Sequence, residues 1–369
     1  MPPEVLSRRA LNRATLARQL LLERVPIAPA DAIHHLLGLQ AQTPQSWYLT
    51  LWSRLADFDP VATGQLLEER HLVRIALMRS TIHLVTADDA LTLRRFTQPA
   101  IDRSLRGTWA RRLEGVELAE LEAAARAFTD ESPRTPAELT RLLGMRWPGR
   151  DSLTLTNAVR ALVPLVQVPP RAVWGRSGAV RLAALETWLA RRVPDAVDPQ
   201  PIVLRYLAAY GPASVLDARQ WSGLSHLKEV FERLGPQLIR FRDESGRTLF
   251  DLPDAERPDG DVPAPVRFLA DYDNVLLSHH DRSRFVDDGA RASLTYESGP
   301  YPSMLLVDGM LAGQWFVARD GPAATLTVRL ARPVSSETEA GVAREADNVF
   351  RFILPSVAER TIAIQTDPS

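Results

Sequence analysis

One pattern recurs three times along the 369-residue sequence: amphipathic helical segments, then two short β-type runs around a turn. In the first pass, Leu6 to Val25 places Leu16, Leu20, Leu21 and Val25 on one helical face, with Arg8, Arg9, Arg13 and Arg18 mostly opposite. Pro26 and Pro29 end that helix, and Ala30 to Leu37 predicts a second, stopped at Gly38. Ser46 to Leu55 and Val61 to Glu69 read as further helices, before Leu72 to Met78 and the β-branched run Thr81 to Thr86 predict a hairpin. The second pass has helices from Pro136 to Leu143 and Leu155 to Leu165, then strands over Val168 to Gly175 and Ala179 to Leu185. The third has helices over Ile202 to Tyr210, Ala213 to Trp221 and Leu227 to Leu234, then LIRFR and RTLFDL around Asp243-Glu244-Ser245-Gly246. Helices closed by a two-stranded wing describe a winged helix, so the expectation is an α+β chain of three tandem winged-helix domains, at residues 1–115, 116–198 and 199–255. Beyond the Pro-rich, acidic stretch Leu252 to Pro265, the runs VRFLADY, SMLLVDG, LAGQWFVAR and ATLTVRLARP turn at Asp308-Gly309 and Asp320-Gly321. They predict a small antiparallel β-barrel or sandwich over 256–369, closed by a helix near Glu337 to Leu354.

Composition narrows the chemistry. The sequence has no cysteine, which excludes disulfides, thiolate metal sites and cysteine nucleophiles and agrees with a reducing cytosol. The N-terminus interrupts every apolar run with Arg or Glu, so no signal-peptide core is expected, and no run approaches a membrane span. Lys228 is the single lysine among 44 basic residues, so phosphate contacts fall to arginine. The net charge of −1 hides an asymmetry: residues 1–255 carry 33 basic and 28 acidic groups, residues 256–369 carry 11 and 17. A nucleic-acid surface is therefore expected in the first two thirds. A phosphate loop, a dinucleotide fingerprint, a nucleophile elbow and a metalloprotease motif are all missing, so no cofactor is expected.

The sharpest local feature is Gln40 and Gln42 in Leu36 to Arg54, LLGLQAQTPQSWYLTLWSR. In extended or turn backbone, alternate residues share one side. Two neutral amides can then converge on one atom, each with a carbonyl acceptor and an NH2 donor, to hold a water and face a developing positive charge without being strong bases. Spacing alone fits helix-capping or surface glutamines as well. Arg79, Ser80, Thr81 and His83 fall at the first wing, where they suit DNA backbone or minor-groove contact, or else a wing that caps its own core. His279 and His280 precede Asp281-Arg282-Ser283-Arg284. One reading places the imidazoles beside a flipped nucleotide with Arg282 and Arg284 on phosphates; the other is a salt-bridged loop joining the C-terminal region to the third unit. Adjacent histidines point apart on a strand and no third ligand has suitable spacing, so no metal site is expected there or at His34-His35. Trp47, Tyr48 and Trp52 read as core, and Trp109, between Arg103 and Arg112, as an exposed aromatic.

The glutamine segment, together with VRIALMRSTIHLVTADDA (Val73 to Ala90), YLAAYGPASVLDARQWSGL (Tyr206 to Leu224), VRFLADYDNVLLSHHDRSRFV (Val266 to Val286) and MLLVDGMLAGQWFV (Met304 to Val317), resembles the AlkZ-like winged-helix DNA glycosylases, in the family's order and over nearly the whole chain. The resemblance implies that Gln40 and Gln42 stand on the family's catalytic Gln-aliphatic-Gln motif; a sister branch carries Asp at the second position, where this chain has Gln42. It implies three winged helices arranged in a C with a C-terminal β-barrel. It also implies excision of bulky alkylated purines and unhooking of interstrand crosslinks in double-stranded DNA, by a monomer in the bacterial cytoplasm that meets the nucleoid through DNA.

The chemistry agrees. An N7-alkylated guanine is cationic and leaves as a neutral base, so the enzyme need only stabilise an oxocarbenium sugar and position water. With no lysine in the motif, neither a Schiff base nor strand cleavage is expected. The rival readings are a non-enzymatic winged-helix regulator, which would want a polar recognition helix where this chain has LKEVFERL, and a protein that sequesters an alkylating natural product.

Overall fold

The computed structural model describes residues 3–287, 289 and 302–366. A short strand, β1 (Glu4–Leu6), precedes α1 (Arg8–Arg18), which Ser7 caps by accepting from the Ala10 N–H. The helix is shorter at both ends than its apolar period suggested: Leu6 belongs to β1 and Ser7 sets the start, while Leu20 enters the left-handed region (φ 59°) and breaks the helix before Pro26. After α2 (Pro29–His35) the chain turns through Leu37 (φ 57°) and Gly38 (φ 91°). A side chain at Gly38 would collide with Val85, so the close approach requires glycine. The turn delivers β2 (Leu39–Gln40). Helices α3 (Ser46–Trp52) and α4 (Pro60–Glu68) lead into the hairpin β3 (Leu72–Ala76) and β4 (Ile82–Thr86).

Two helices absent from the sequence reading follow, α5 (Ala87–Trp109) and α6 (Leu118–Glu131). Then come α7 (Pro136–Arg146), α8 (Ser152–Leu162), β5 (Leu165–Gln167), β6 (Leu182–Ala184) and α9 (Leu185–Leu189). The strand expected over Val168 to Gly175 stops at Gln167 instead, since Pro169 and Pro170 have no N–H to offer a ladder. The first and second hairpins do not stand apart. Arg74 pairs with Gln167 and Ile75 with Val166, giving one five-stranded sheet in the order β2-β4-β3-β5-β6.

The third cluster comprises α10 (Pro199–Tyr210), α11 (Val215–Ser222) and α12 (Lys228–Leu234), with the hairpin β7 (Ile239–Asp243) and β8 (Thr248–Asp251); β1 adds to β7 in parallel. Its Tyr206, Tyr210 and Trp221 share one buried core with Ile75, Leu77 and Val85 of the first hairpin and Leu93 and Phe96 of α5. The first and third clusters are thereby packed into one body.

The C-terminal region holds β9 (Arg267–Phe268), β10 (Ser303–Val307), β11 (Met310–Asp320), β12 (Ala323–Leu330), α13 (Ser336–Ile353) and β13 (Glu359–Thr366). The strands run in the order β13-β12-β11-β10-β9, with β9 to β12 antiparallel. Two expectations are corrected. The sheet is open, with no pairing between β9 and β13 among the described residues, and β13 joins β12 in parallel. The helix explains both: α13 is a crossover, which returns the chain parallel, and its Val342, Ala346, Val349 and Phe350 cover the sheet face that a barrel would have closed upon. Among the described residues, no helix is long and apolar enough to cross a membrane.

Candidate active site

Gln40 ends β2, opposite His83 on β4, and Gln42 lies two residues on. Backbone bonds fix the segment: the Ala41 N–H donates to the Ile82 carbonyl at 2.8 Å, and Arg74 Nη2 donates to the Ala41 carbonyl at 2.7 Å. Arg74 is itself buried in β3, and its Nη1 reaches Gln167 Oε1 at 2.8 Å across the sheet. From the C-terminal region, Asn274 Oδ1 accepts from the Gln40 N–H at 3.0 Å, while its Nδ2 donates to the Gly38 carbonyl at 2.6 Å and to the Tyr210 hydroxyl at 3.0 Å.

The two side chains run toward the β3–β4 turn, as their alternation requires. Gln40 is 6% exposed, and its Oε1 accepts from Arg79 Nη2 at 2.7 Å. Gln42 is exposed, and its Oε1 accepts from the Ile82 N–H at 3.3 Å. A guanidinium and a backbone N–H can only donate, so they settle which way each amide faces: the carbonyl oxygens are engaged with the turn, and neither NH2 group has a hydrogen-bond partner among the described residues. The turn itself is strained. Arg79 (φ 54°) and Ser80 (φ 60°) are successive non-glycine residues in the left-handed region. Arg79 Nη1 also donates to the Trp221 carbonyl at 2.5 Å, tying the turn to the end of α11. Burial lowers the Arg79 pKa, the Tyr210 hydroxyl offsets this in part, and the neighbouring Arg282 charge adds to it.

The other expected contacts divide. Ser80 is exposed at the tip of the turn, and Thr81 is half-buried with its hydroxyl donating to the Met78 carbonyl at 3.0 Å. His280 is exposed, and Arg282 is half-buried; its carbonyl accepts from the Phe285 and Val286 N–H groups, while its guanidinium has no hydrogen-bond partner among the described residues. His83, His279 and Arg284 are buried, which corrects the expectation that they meet DNA. His83 Nδ1 hydrogen-bonds the Thr81 carbonyl at 2.9 Å; burial, helped by the Arg79 charge, pushes its pKa down to about 3. His279 Nε2 hydrogen-bonds the Tyr210 carbonyl at 2.9 Å, and burial and Arg284 hold it neutral against the pull of Asp217. Arg284 Nη1 donates to Thr15 Oγ1 at 2.9 Å and the Pro212 carbonyl at 3.0 Å. Asp217, the N3 residue of the α11 capping box, accepts from the His280 N–H at 2.8 Å. This is the loop network joining the C-terminal region to the third cluster. Trp47 and Tyr48 stack in the core, and Trp52 packs on Phe352.

Arg74, Asn274 and Tyr210 were not singled out from the sequence. Arg74 alone left a signal there, a lone guanidinium inside the apolar strand LVRIA. Asn274 meets Gln40 across 234 positions, which no local spacing reveals.

The whole arrangement has a solved counterpart. The structure of DNA glycosylase AlkZ from Streptomyces sahachiroi matches 98% of this chain and 100% of its own, with a TM-score of 0.76 at 21% identity, so the fold is one that a DNA glycosylase adopts. Residues 33–352 match the family model described as DNA glycosylase AlkZ-like, and the chain belongs to that family. It is a DNA glycosylase. In sequence it is also similar to an interstrand DNA cross-link repair glycosylase of the same organism, 26% identical over 325 residues that cover 81% of this chain and 85% of the relative.

Proposed function

We propose that the protein hydrolyses the N-glycosidic bond of cationic N-alkylated purines in duplex DNA, with Gln40 and Gln42 as the catalytic pair, and that interstrand crosslinks are among its substrates. The observation that carries the reading is the pair of neutral amides set side by side and oriented by Arg79 and the Ile82 N–H. Each engaged carbonyl keeps a second lone pair for water or the sugar cation, and each NH2 is left to donate to acceptor atoms of the departing purine or to water. One such polar group is worth roughly 2.7 to 4 kcal/mol of barrier. That is enough for a base that departs neutral, and too little for uracil, which leaves as an anion. The relative's name supports crosslinks as substrates. In this reading the three helix-and-hairpin clusters are winged helices divided near residues 115, 198 and 255, and Ser80, His280 and Arg282 face the DNA.

The test is a panel of duplexes carrying 7-methylguanine, a bulky N7 adduct, an interstrand crosslink, uracil or 8-oxoguanine, treated with alkali to reveal abasic sites. Cleavage confined to the first three is expected. Efficient uracil release, or none from any alkylated duplex, would overturn the reading.

A further inference from the structure

We propose that a basic cleft on the exposed face of α5 holds the phosphodiester backbone of the duplex beside the lesion, an inference that rests on the reading above. The cleft, of about 820 Å3, is lined by Arg95, Arg103 and Arg106 of α5 and by His226 across from them. Spacings of eight and eleven residues bring the three guanidiniums onto one side of the helix. Asp102, the acid in the lining, accepts from Gln98 Nε2 at 2.5 Å, and Arg103 is held by the Gly223 carbonyl and Ser225 Oγ. Arg95 and Arg106 are exposed and have no ion pair among the described residues. The cleft adjoins the reactive segment, since a Cβ on Gly223 would lie 3.3 Å from the Arg79 backbone nitrogen and 3.5 Å from the Ala100 Cβ of α5. Unpaired guanidiniums in a concave groove match a polyanion in charge and in forked geometry. The experiment measures the affinity of the full chain for unmodified duplex across a salt series. Arg95→Gln/Arg106→Gln should flatten the log–log salt slope by about two, one per phosphate contact. Arg319→Gln/Arg329→Gln, which removes the same charge from the C-terminal sheet, should leave it alone. An unchanged slope in the first variant, or equal flattening in both, overturns the cleft; a wild-type chain that binds no duplex overturns the reading beneath it.

A separate observation carries a second inference: the geometry assigns Arg79 to positioning Gln40. The last torsion of a glutamine is broad and roughly two-fold, so an untethered amide presents either end. Arg79 removes that freedom by donating to Oε1 at 2.7 Å, and it is fixed in turn by the Trp221 carbonyl, by its own left-handed backbone and by the missing side chain at Gly223. Arg79→Ala should lower kcat by about 10- to 100-fold, the loss of one charge-assisted hydrogen bond, with little change in KM. In a Gln40→Ala background the same change should lower kcat no further, and Arg79→Lys should recover part of the loss. Lys also keeps the test open if Arg79→Ala fails to fold. Multiplying losses in the double variant, or wild-type kcat in Arg79→Ala, overturns the assignment; a fully active Gln40→Ala overturns the catalytic reading instead.

Discussion

The turns of the first and third hairpins do opposite things with the same number of strands. The third, Asp243 to Arg247, is closed on itself: Asp243 Oδ1 accepts from Ser245 and from the Arg247 N–H, and the left-handed position falls to Gly246 (φ 82°). The first puts Arg79 and Ser80 in that region and spends the Arg79 side chain on Gln40 and Trp221. A left-handed non-glycine residue is held there by its surroundings, and such strain gathers at functional sites. The backbone of one turn is closed by its own residues, with the Arg247 side chain reaching out to Asp281; on the other, three parts of the molecule converge.

The largest effect should come from removing what the first turn supports. Gln40→Ala/Gln42→Ala is expected to lower single-turnover excision from a 7-methylguanine duplex by about 100- to 1000-fold or more, with DNA affinity nearly intact. Wild-type rates in that variant would erase the distinction between the turns. Gln42→Asp should be the milder change, because the sister branch carries Asp at that position.

Acid should separate the hairpins next. His83 is buried neutral on β4 with its pKa pushed down to about 3, whereas the third hairpin contains no histidine. A histidine depressed in the folded state contributes stability that is complete above its ordinary pKa near 6.5 and is lost as pH falls toward the folded value. Tm should therefore drop between pH 7 and pH 5, with hydrogen exchange at Ile82 to Val85 rising before that at Phe241 to Leu249. The reverse order of exchange would contradict the comparison.

A smaller effect tests the self-contained turn. Gly246→Ala forces a Cβ into the left-handed region and should lower unfolding free energy by about 1 kcal/mol while leaving excision unchanged. The smallest change is expected of Asp271→Asn. Its carboxylate accepts from the Thr43 hydroxyl, one residue beyond Gln42, and the rate should move by less than about threefold if neutral amides carry the chemistry. A far larger loss would make Asp271 the base that activates water.

Local rules made much of this legible. Helices bounded by proline and glycine appeared near their places, and the Asp-Glu-Ser-Gly turn announced itself because its bonds are local. Helix α5 was missed because its buried stripe mixes Ala90, Arg94, Thr97 and Ala100 with larger apolar residues and is interrupted by Pro99. Strand β13 was missed as a polar-ended edge whose partner lies across a helix. At the site, spacing brought Gln40 and Gln42 to one side, but Arg79 and Asn274 reach them only through tertiary contact, and burial turned His83, His279 and Arg284 from surface candidates into interior ones.

Asn274 grips the strand that carries Gln40 by both its donor and its acceptor, and it belongs to the last third of the chain. During synthesis the glutamines emerge early, yet the clamp that fixes their backbone arrives more than two hundred residues later. A nascent chain on the ribosome thus carries Gln40 and Gln42 on a segment that still lacks the side chain that bonds to it from both ends.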